Sequence, residues 1–309
     1  MRGRFAPSPT GDLHLGNLRT ALVAWLAARS AGGGFLVRME DLDPVTASHD
    51  HATRQLADLA ALGIDHDGEV VFQSERFHWY RAAISRLADE GLVYRCFCTR
   101  REIREAASAP HGEALADGAY PGTCRELSTA RQSQFEREGR RSAFRLRTNG
   151  ERYRVDDRVA GVYEGAVDDV VLERNDGVPA YNLAVVVDDH LQCVTQVVRG
   201  DDLLSSTPRQ MHLQRLLGYQ HPEYAHVPLV LGPDGSRLAK RHGAVTLADL
   251  AMQGVGPAAV VAVLAASLGF DPAEGSNPPS TAADLLADFS FDRVVRAPWQ
   301  PHPGQPHLG

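Results

Sequence analysis

The 309-residue chain has only four cysteines, no apolar run near the roughly 18 residues a membrane span needs, and no surplus of positive charge. Each shortage excludes something. Four cysteines, three of them clustered, are too few for a disulfide framework in so long a chain, and in a reducing compartment such a cluster more often binds metal. The absent apolar run, and an N-terminus that opens with charge and a Pro-rich loop where a leader would be apolar, imply a cytoplasmic protein with no membrane partner. The formal net charge of −7 excludes a uniformly basic surface, so any RNA partner has to be met by local patches. "RCFCTRREIR" (95–104) and "REGRRSAFRLR" (137–147) are the candidates, although each reads equally well as a solvated helix face. No internal repeat is visible. No large unmatched apolar face asks for a second subunit, which favours a monomer.

With 43% hydrophobic residues, the chain can bury one large α/β core with an insertion, or two modest domains. Leu15, Leu18, Leu22, Trp25 and Leu26 recur at helical spacing before Gly32 to Gly34, which predicts an amphipathic helix of about four turns behind the loop "APSPTGD". "FLVRMED" reads as a short buried strand with carboxylates at its C-terminal end, so the N-terminus has the strand, loop, helix and strand of a nucleotide-binding βαβ unit. Residues 49–63 and 76–91 predict two further glycine-closed helices. From Tyr94 to about Pro179 the texture changes to cysteines, a Gly/Ala/Pro-rich loop, a basic helix and short alternating stretches, which we read as an insertion. "YNLAVVVDDHL" (181–191) and "QCVTQVVRGDDLL" (192–204) look like returning parallel strands, and "STPRQMHLQRLLG" like a capped helix with Pro208 in its first turn. "HVPLVLGPDGSRLAKRHG" reads as a strand, a turn and a basic loop. Two short helical patterns and a Pro/Gly-rich, poorly ordered tail, "APWQPHPGQPHLG", close the chain.

In a parallel sheet, ligands sit beyond the carboxyl ends of the strands, where helix N-termini offer unpaired N–H groups and a positive dipole to phosphate. His14 and Gly16 stand at such a place: glycine lets a phosphate or an adenine approach the backbone, and the imidazole can donate to a phosphate oxygen. The cations of "SRLAKR" suit a group that grips a triphosphate as charge develops, with Lys240 the main candidate. Arg4 and Arg199 can each hold a carboxylate with a bidentate fork, and Glu40 can take an ammonium. Tyr181 can add a hydroxyl. Cys96-Phe-Cys98 followed by Tyr120-Pro-Gly-Thr-Cys124 offers three thiolates for a closed tetrahedral site, with Tyr120 or His111 as fourth ligand, or else three buried thiols. Cys193 reads as a small core residue of an apolar strand.

"RFAPSPTGDLHLG" (4–16) with "SRLAKR" (236–241) resembles the paired His-x-Gly and Lys-x-Ser-Lys signatures of class I aminoacyl-tRNA synthetases, in their glutamyl branch. "RMED" (38–41), "YNLAVVVDDHL" and "VVRGDDLLSSTPRQ" (197–210) match that branch as well, so the resemblance runs in order over roughly residues 4 to 250. About 60 residues follow the basic loop, which makes the chain similar to the short glutamyl-queuosine tRNA(Asp) synthetase family. That resemblance implies an α/β fold with a Rossmann-like parallel sheet, an inserted zinc-bearing acceptor-type subdomain, a short C-terminal helical region and no anticodon-binding domain. It divides the chain into a catalytic half at 1–93, an insertion with a zinc site at 94–180, a second catalytic half with the KMSKS-like loop at 181–245, and a helical region with a disordered tail at 246–309.

The resemblance further implies ATP-dependent activation of L-glutamate and its transfer to the queuosine base in the anticodon of tRNA(Asp). It places Arg4, Phe5, Ala6, Pro7, Ser8, Glu40, Tyr181 and Arg199 around glutamate. It places His14, Gly16, Asn17, Arg237 and Lys240 around ATP, with His14 and Lys240 catalytic. Cys96, Cys98, Tyr120 and Cys124 would hold one structural Zn2+, and Mg2+ would accompany ATP. The sequence departs from the family pattern at Arg237 and Ala239, which stand for its first Lys and its Ser, and at Asn17, which stands for a second His of the wider class; retained Lys240 implies retained activity. The alternatives are a truncated glutamyl-tRNA synthetase charging tRNA(Glu), an adenylyltransferase of cofactor synthesis, which needs neither zinc nor a glutamate pocket, and a non-catalytic tRNA-binding paralogue.

Overall fold

β1 (Arg2–Phe5), α1 (Leu15–Ser30) and β2 (Gly34–Met39) form the expected strand, loop, helix and strand. In this computed structural model, which describes residues 1–107, 120–232, 234–236, 238, 245–270 and 277–301, β1 and β2 pair in parallel with Arg4 opposite Leu36. α2 (His49–Ala61) leads to β3 (Val71–Phe72), which extends the parallel sheet in the order β1-β2-β3, and α3 (Phe77–Asp89) follows. Gly63 and Gly91 follow α2 and α3 with φ of 77° and 72°, the left-handed turn that glycine adopts without strain.

Antiparallel pairing then takes over. β4 (Val93–Cys96), α4 (Arg100–Ala107), α5 (Thr129–Arg137) and β5 (Ala143–Leu146) precede a hairpin of β6 (Arg152–Asp157) and β7 (Gly161–Ala166), then β8 (Val171–Glu173). β5 lies between β4 and β8 in a three-stranded antiparallel sheet. The chain continues through α6 (Tyr181–Leu191), β9 (Gln196–Gly200), α7 (Thr207–Leu217), β10 (Glu223–Val227), α8 (Leu247–Met252) and α9 (Pro257–Ser267). β9 and β10 pair in parallel with Arg199 opposite His226, and β9 runs beside β1, where the Thr195 amide donates to the Arg2 carbonyl at 2.9 Å. No helix among the described residues is long and apolar enough to cross a membrane.

Four expectations change. Residues 181–191 are a helix, not a strand: Leu183 to Asp189 are all buried, and Leu183 to Val187 share one cluster with Tyr80, Leu87, Leu213 and Leu217. A short apolar run reads alike in either state, and the few tenths of a kcal/mol that each Val costs a helix are small against burial on every side. α1 is not amphipathic: every residue from Ala21 to Ala28 is buried, because the helix packs among the parallel strands and α9. Even Arg19 is enclosed, donating to the Pro228 and Ser267 carbonyls at 2.7 and 3.1 Å. Cys193 is exposed, with φ 54°, because it turns the chain just after α6 and is no part of a strand. The strand expected at "HVPLVLG" begins earlier, at Glu223, and ends before Pro228, which has no N–H for a ladder. Part of the tail is also fixed: the Trp299 amide donates to Leu229 and the Leu231 amide to Trp299, at 3.1 and 2.8 Å.

Candidate active site

Arg4, Glu40 and Arg199 stand at the C-terminal ends of β1, β2 and β9, and the chain turn that follows β1 returns as α1, with His14 at its N-terminus. A cleft of about 650 Å³ opens there. Its walls hold Arg4, Phe5, Ala6, Pro7, Ser8, His14, Gly16, Asn17, Glu40, Tyr181 and Arg199, so every described residue expected at the glutamate or ATP positions reaches one cavity. Arg237 and Lys240 lie outside the described residues, as does His111.

Pro7 and Pro9 give the Pro-rich loop no amide donors, and within it the Thr10 amide donates to the Ser8 carbonyl at 2.9 Å. The loop is otherwise held by its carbonyls. The Glu40 amide donates to Pro7, the Ser48 amide to Pro9, and the buried Gln55 amide to Ser8 and Gly11 at 3.1 and 2.7 Å. His14 then caps α1: its Nδ1 accepts from the Gly16 and Asn17 amides at 3.1 and 3.3 Å, while its own amide donates to Asn17 Oδ1 at 3.2 Å. An accepting Nδ1 carries no proton, so the neutral ring is the Nε2–H donor. A Cβ on Gly16 would meet His14 Cε1 at 3.0 Å, so a side chain there would press on the capping ring and require it to give by a few tenths of an ångström.

Behind the cleft lies a buried charge network. Asp189 accepts from Arg38 Nη1 at 2.8 Å and stands 3.5 Å from Arg4 Nε; Arg38 Nη2 stands 3.5 Å from Glu40. Asp188 takes Gln73, Arg76 and Tyr80 at 2.7 to 2.8 Å and stands 3.9 Å from Arg38 Nε. Burial works against the charge of Arg38, but Asp189, Glu40 and Asp188 outweigh it and raise its pKa. Burial lowers the pKa of Arg4, with Asp189 opposing, and Arg38 and Arg199 add to the lowering. Burial likewise raises Glu40, against Arg38 and Arg4, and raises the Tyr181 hydroxyl, helped by Glu40. Arg4 Nε makes no hydrogen bond within the described residues and meets Asp189 only at ion-pair distance, while Arg4 Nη1 donates to the Val198 carbonyl at 3.0 Å. Tyr181 reaches the cleft from the start of a helix and not from a strand end. The sequence reasoning passed over Asp189 and Gln55; the carboxylate pair closing the apolar run "LAVVVDD" was a usable signal, whereas nothing marks Gln55.

The second cluster lies on β4 and the loop after α4. The sulfurs of Cys96, Cys98 and Cys124 are all within 4.8 Å of one another, and none is in a disulfide. The Tyr120 hydroxyl is 3.3 Å from Cys96 Sγ and 3.5 Å from Cys98 Sγ. Hydrogen bonding with Cys124 lowers the Cys96 thiol and raises Cys98. A tetrahedral ion with Zn–S near 2.3 Å sets sulfurs about 3.8 Å apart. The donor set fits a metal of that kind.

Parallel strands, a capped helix N-terminus and a cleft at their common end are the arrangement of an α/β nucleotide-binding fold. The chain belongs to the family "tRNA synthetases class I (E and Q), catalytic domain", which matches residues 1–300. It is 58% identical over 297 residues to the glutamyl-Q tRNA(Asp) synthetase of Nocardia farcinica, covering 96% of this chain and 92% of that one. The protein of the same name from Symbiobacterium thermophilum is 47% identical, covering 96% and 94%. Among solved structures, the glutamate tRNA ligase from Elizabethkingia meningosepticum, in complex with its amino acid, aligns with a TM-score of 0.80 and 27% identity. That alignment covers 97% of this chain and 66% of the other.

Proposed function

We propose that this chain activates L-glutamate with ATP and transfers the glutamyl group to the queuosine base of tRNA(Asp). The observation that carries the reading is the convergence of two buried arginines, Arg4 and Arg199, with Glu40 and Tyr181 in the cleft that also receives the N-terminus of α1. The names of the relatives that match nearly end to end supply the RNA acceptor. Arg4 and Arg199 would hold the carboxylates of glutamate, Glu40 its ammonium, and residues 5–8 the backbone wall beside it. The His14 Nε2–H, the Gly16 and Asn17 end of α1, Arg237 and Lys240 would hold the ATP phosphates.

In the first step the α-carboxylate oxygen of glutamate attacks the α-phosphorus of ATP, the bond to the bridging oxygen breaks, and pyrophosphate leaves. Lys240 neutralises charge on the leaving group, a contact strongest in the transition state. Magnesium bound with ATP supplies further charge neutralisation. In the second step a hydroxyl of the modified base attacks the glutamyl carbonyl of the mixed anhydride, and AMP leaves. We assign residues 94–180 as the insertion between catalytic halves 1–93 and 181–245, followed by a C-terminal region at 246–309; the change from parallel to antiparallel pairing supports it. Zinc on Cys96, Cys98, Cys124 and Tyr120 would staple that insertion, a role supported by the sulfur geometry.

The test is transfer of radiolabelled glutamate in the presence of ATP to two RNAs, queuosine-containing tRNA(Asp) and tRNA(Glu). Label on tRNA(Asp) alone, lost when queuosine is absent, is the expected result. Label on tRNA(Glu) would instead support the second reading, a truncated glutamyl-tRNA synthetase; the chain is 42% identical to the glutamate–tRNA ligase of Dichelobacter nodosus and spans 62% of that protein's length. Label on neither would overturn both.

A further inference from the structure

Arg199 is held unlike the other buried arginines of the cleft. It is 5% exposed, yet among the described residues it forms no ion pair, whereas Arg4 and Arg38 both face Asp189. Its partners are neutral. Nη1 donates to Gln210 Oε1 at 2.8 Å, Nη2 to Thr207 Oγ1 at 2.9 Å, and Nε to Nε2 of His226 at 3.0 Å. The parallel register of β9 and β10 sets Arg199 directly opposite His226, so the contact is built into the sheet.

A histidine nitrogen can accept from a guanidinium only if it carries no proton. His226 Nε2 is therefore bare, with the Thr207 hydroxyl 3.3 Å away as a longer second neighbour, and the ring proton sits on Nδ1, which faces Asp157 Oδ2 at 2.5 Å. Asp157 closes β6, the first strand of the hairpin, and cannot turn away: its Oδ1 accepts the amides of His226, Val159 and Ala160 at 2.8 to 3.0 Å. Asp157 is 7% exposed and His226 fully buried. The opposite tautomer would set an N–H of His226 against an N–H of Arg199, donor against donor, and leave the Asp157 oxygen facing a bare nitrogen.

We propose that His226, fixed as the Nδ1–H tautomer by Asp157, is a positioning residue for Arg199: it aims the guanidinium at the cleft without setting a carboxylate in direct contact with it, so that the substrate carboxylate can take that place. An acidic residue placed directly on Arg199 would hold it equally still but would cancel the charge that glutamate needs. The neutral relay separates holding from neutralising. It also makes a residue of the hairpin, 42 positions before Arg199 in sequence, part of amino-acid recognition. The inference rests on the assignment of Arg199 to glutamate binding made above.

The test compares wild type with His226→Leu, Asp157→Asn and His226→Gln in ATP–pyrophosphate exchange, alongside 15N NMR of the histidine rings. His226→Leu removes the acceptor, and Asp157→Asn offers Nδ1 a donor and so favours the wrong tautomer. Both should raise the KM for glutamate about tenfold or more with the KM for ATP nearly unchanged. His226→Gln restores an acceptor at the height of Nε2 and should recover most of the loss. Wild-type His226 should show a protonated Nδ1 and a bare Nε2 without any substrate present. A glutamate KM in the first two variants within twofold of wild type, or a parallel rise in the KM for ATP, or a wild-type Nε2–H signal, would each overturn the relay. Absence of glutamate-dependent exchange in the wild type itself would overturn the functional reading on which it rests.

Discussion

In the cleft, buried charges are met by groups of the protein itself: Asp189 faces Arg4 and Arg38, and Gln210, Thr207 and His226 surround Arg199. In the cysteine cluster, three sulfurs and a phenol face chiefly one another, with the Phe97 amide donating to Cys124 and a small buried group of Tyr94, Cys96, Tyr120 and Cys124 for a core. The cleft belongs to a cluster of more than thirty buried apolar side chains running from Phe5 to Val294, which can bear the cost of enclosed charge. Among the described residues the cysteine site has a smaller core. A site inside a large core can be pre-formed by its own polar partners; a site in a loop-rich segment has fewer of them, and a bound metal would hold its donors together.

That contrast can be broken at several points. The largest effect is expected from Cys98→Ser: with structural zinc contributing on the order of 10 kcal/mol to folding of small zinc modules, loss of one thiolate should release the metal and expose β4, β5 and β8 to hydrogen exchange. Strands β1, β2, β9 and β10 should stay protected. Elemental analysis of wild-type protein without zinc would end the metal claim. Asp189→Ala should come next, because it takes from Arg4 its ion-pair partner among the described residues and from Arg38 the nearest of its three carboxylates; about 3 kcal/mol of stability should be lost in chemical denaturation. An unchanged midpoint would show that the cleft is not braced by this carboxylate. Lys240→Ala should slow pyrophosphate exchange by about a hundredfold with glutamate KM little altered; a large KM change at unchanged rate would contradict its role.

Smaller effects sharpen the same comparison. His14→Ala removes the cap of α1 and should cost about 1 kcal/mol, read as a shifted melting midpoint. Asp58, half-buried beside Asp12, has its carboxyl pushed up to about 6 by burial and then by that neighbour. A raised carboxyl favours the folded state below its unfolded value and loses that contribution as pH climbs through about 6. Asp58→Asn should therefore raise the melting temperature at neutral pH, and the gain should vanish below about pH 4. An equal gain at both pH values would exclude ionisation as the cause.

Much of the site was legible because its residues sit in short, position-specific stretches. The loop from Arg4 to Gly16 and the strand end at Arg38 to Glu40 declare their chemistry through residue types that fold-forming segments rarely need: two prolines, a His-x-Gly step, charge at the end of an apolar run. The partners were illegible because they come from far along the chain. Asp157 serves Arg199 through His226, and Gln55 holds the carbonyls of Ser8 and Gly11 from 47 and 44 residues away. The reading of residues 181–191 as a strand failed for a related reason. Three consecutive valines suit a buried strand or a buried helix, and only the neighbours α3 and α7 decide between them.

The sequence alone determined the βαβ start and the cysteine spacing, because local sterics, capping and periodicity act within a few residues, and its resemblance to the glutamyl branch of class I synthetases implied the residues that line the cleft. Tertiary structure alone decided which charges compensate one another, that α1 is enclosed on all sides, and which nitrogen of His226 carries the proton. Those outcomes depend on contacts between segments distant in sequence, and the burial that sets their electrostatics exists only once the segments have packed.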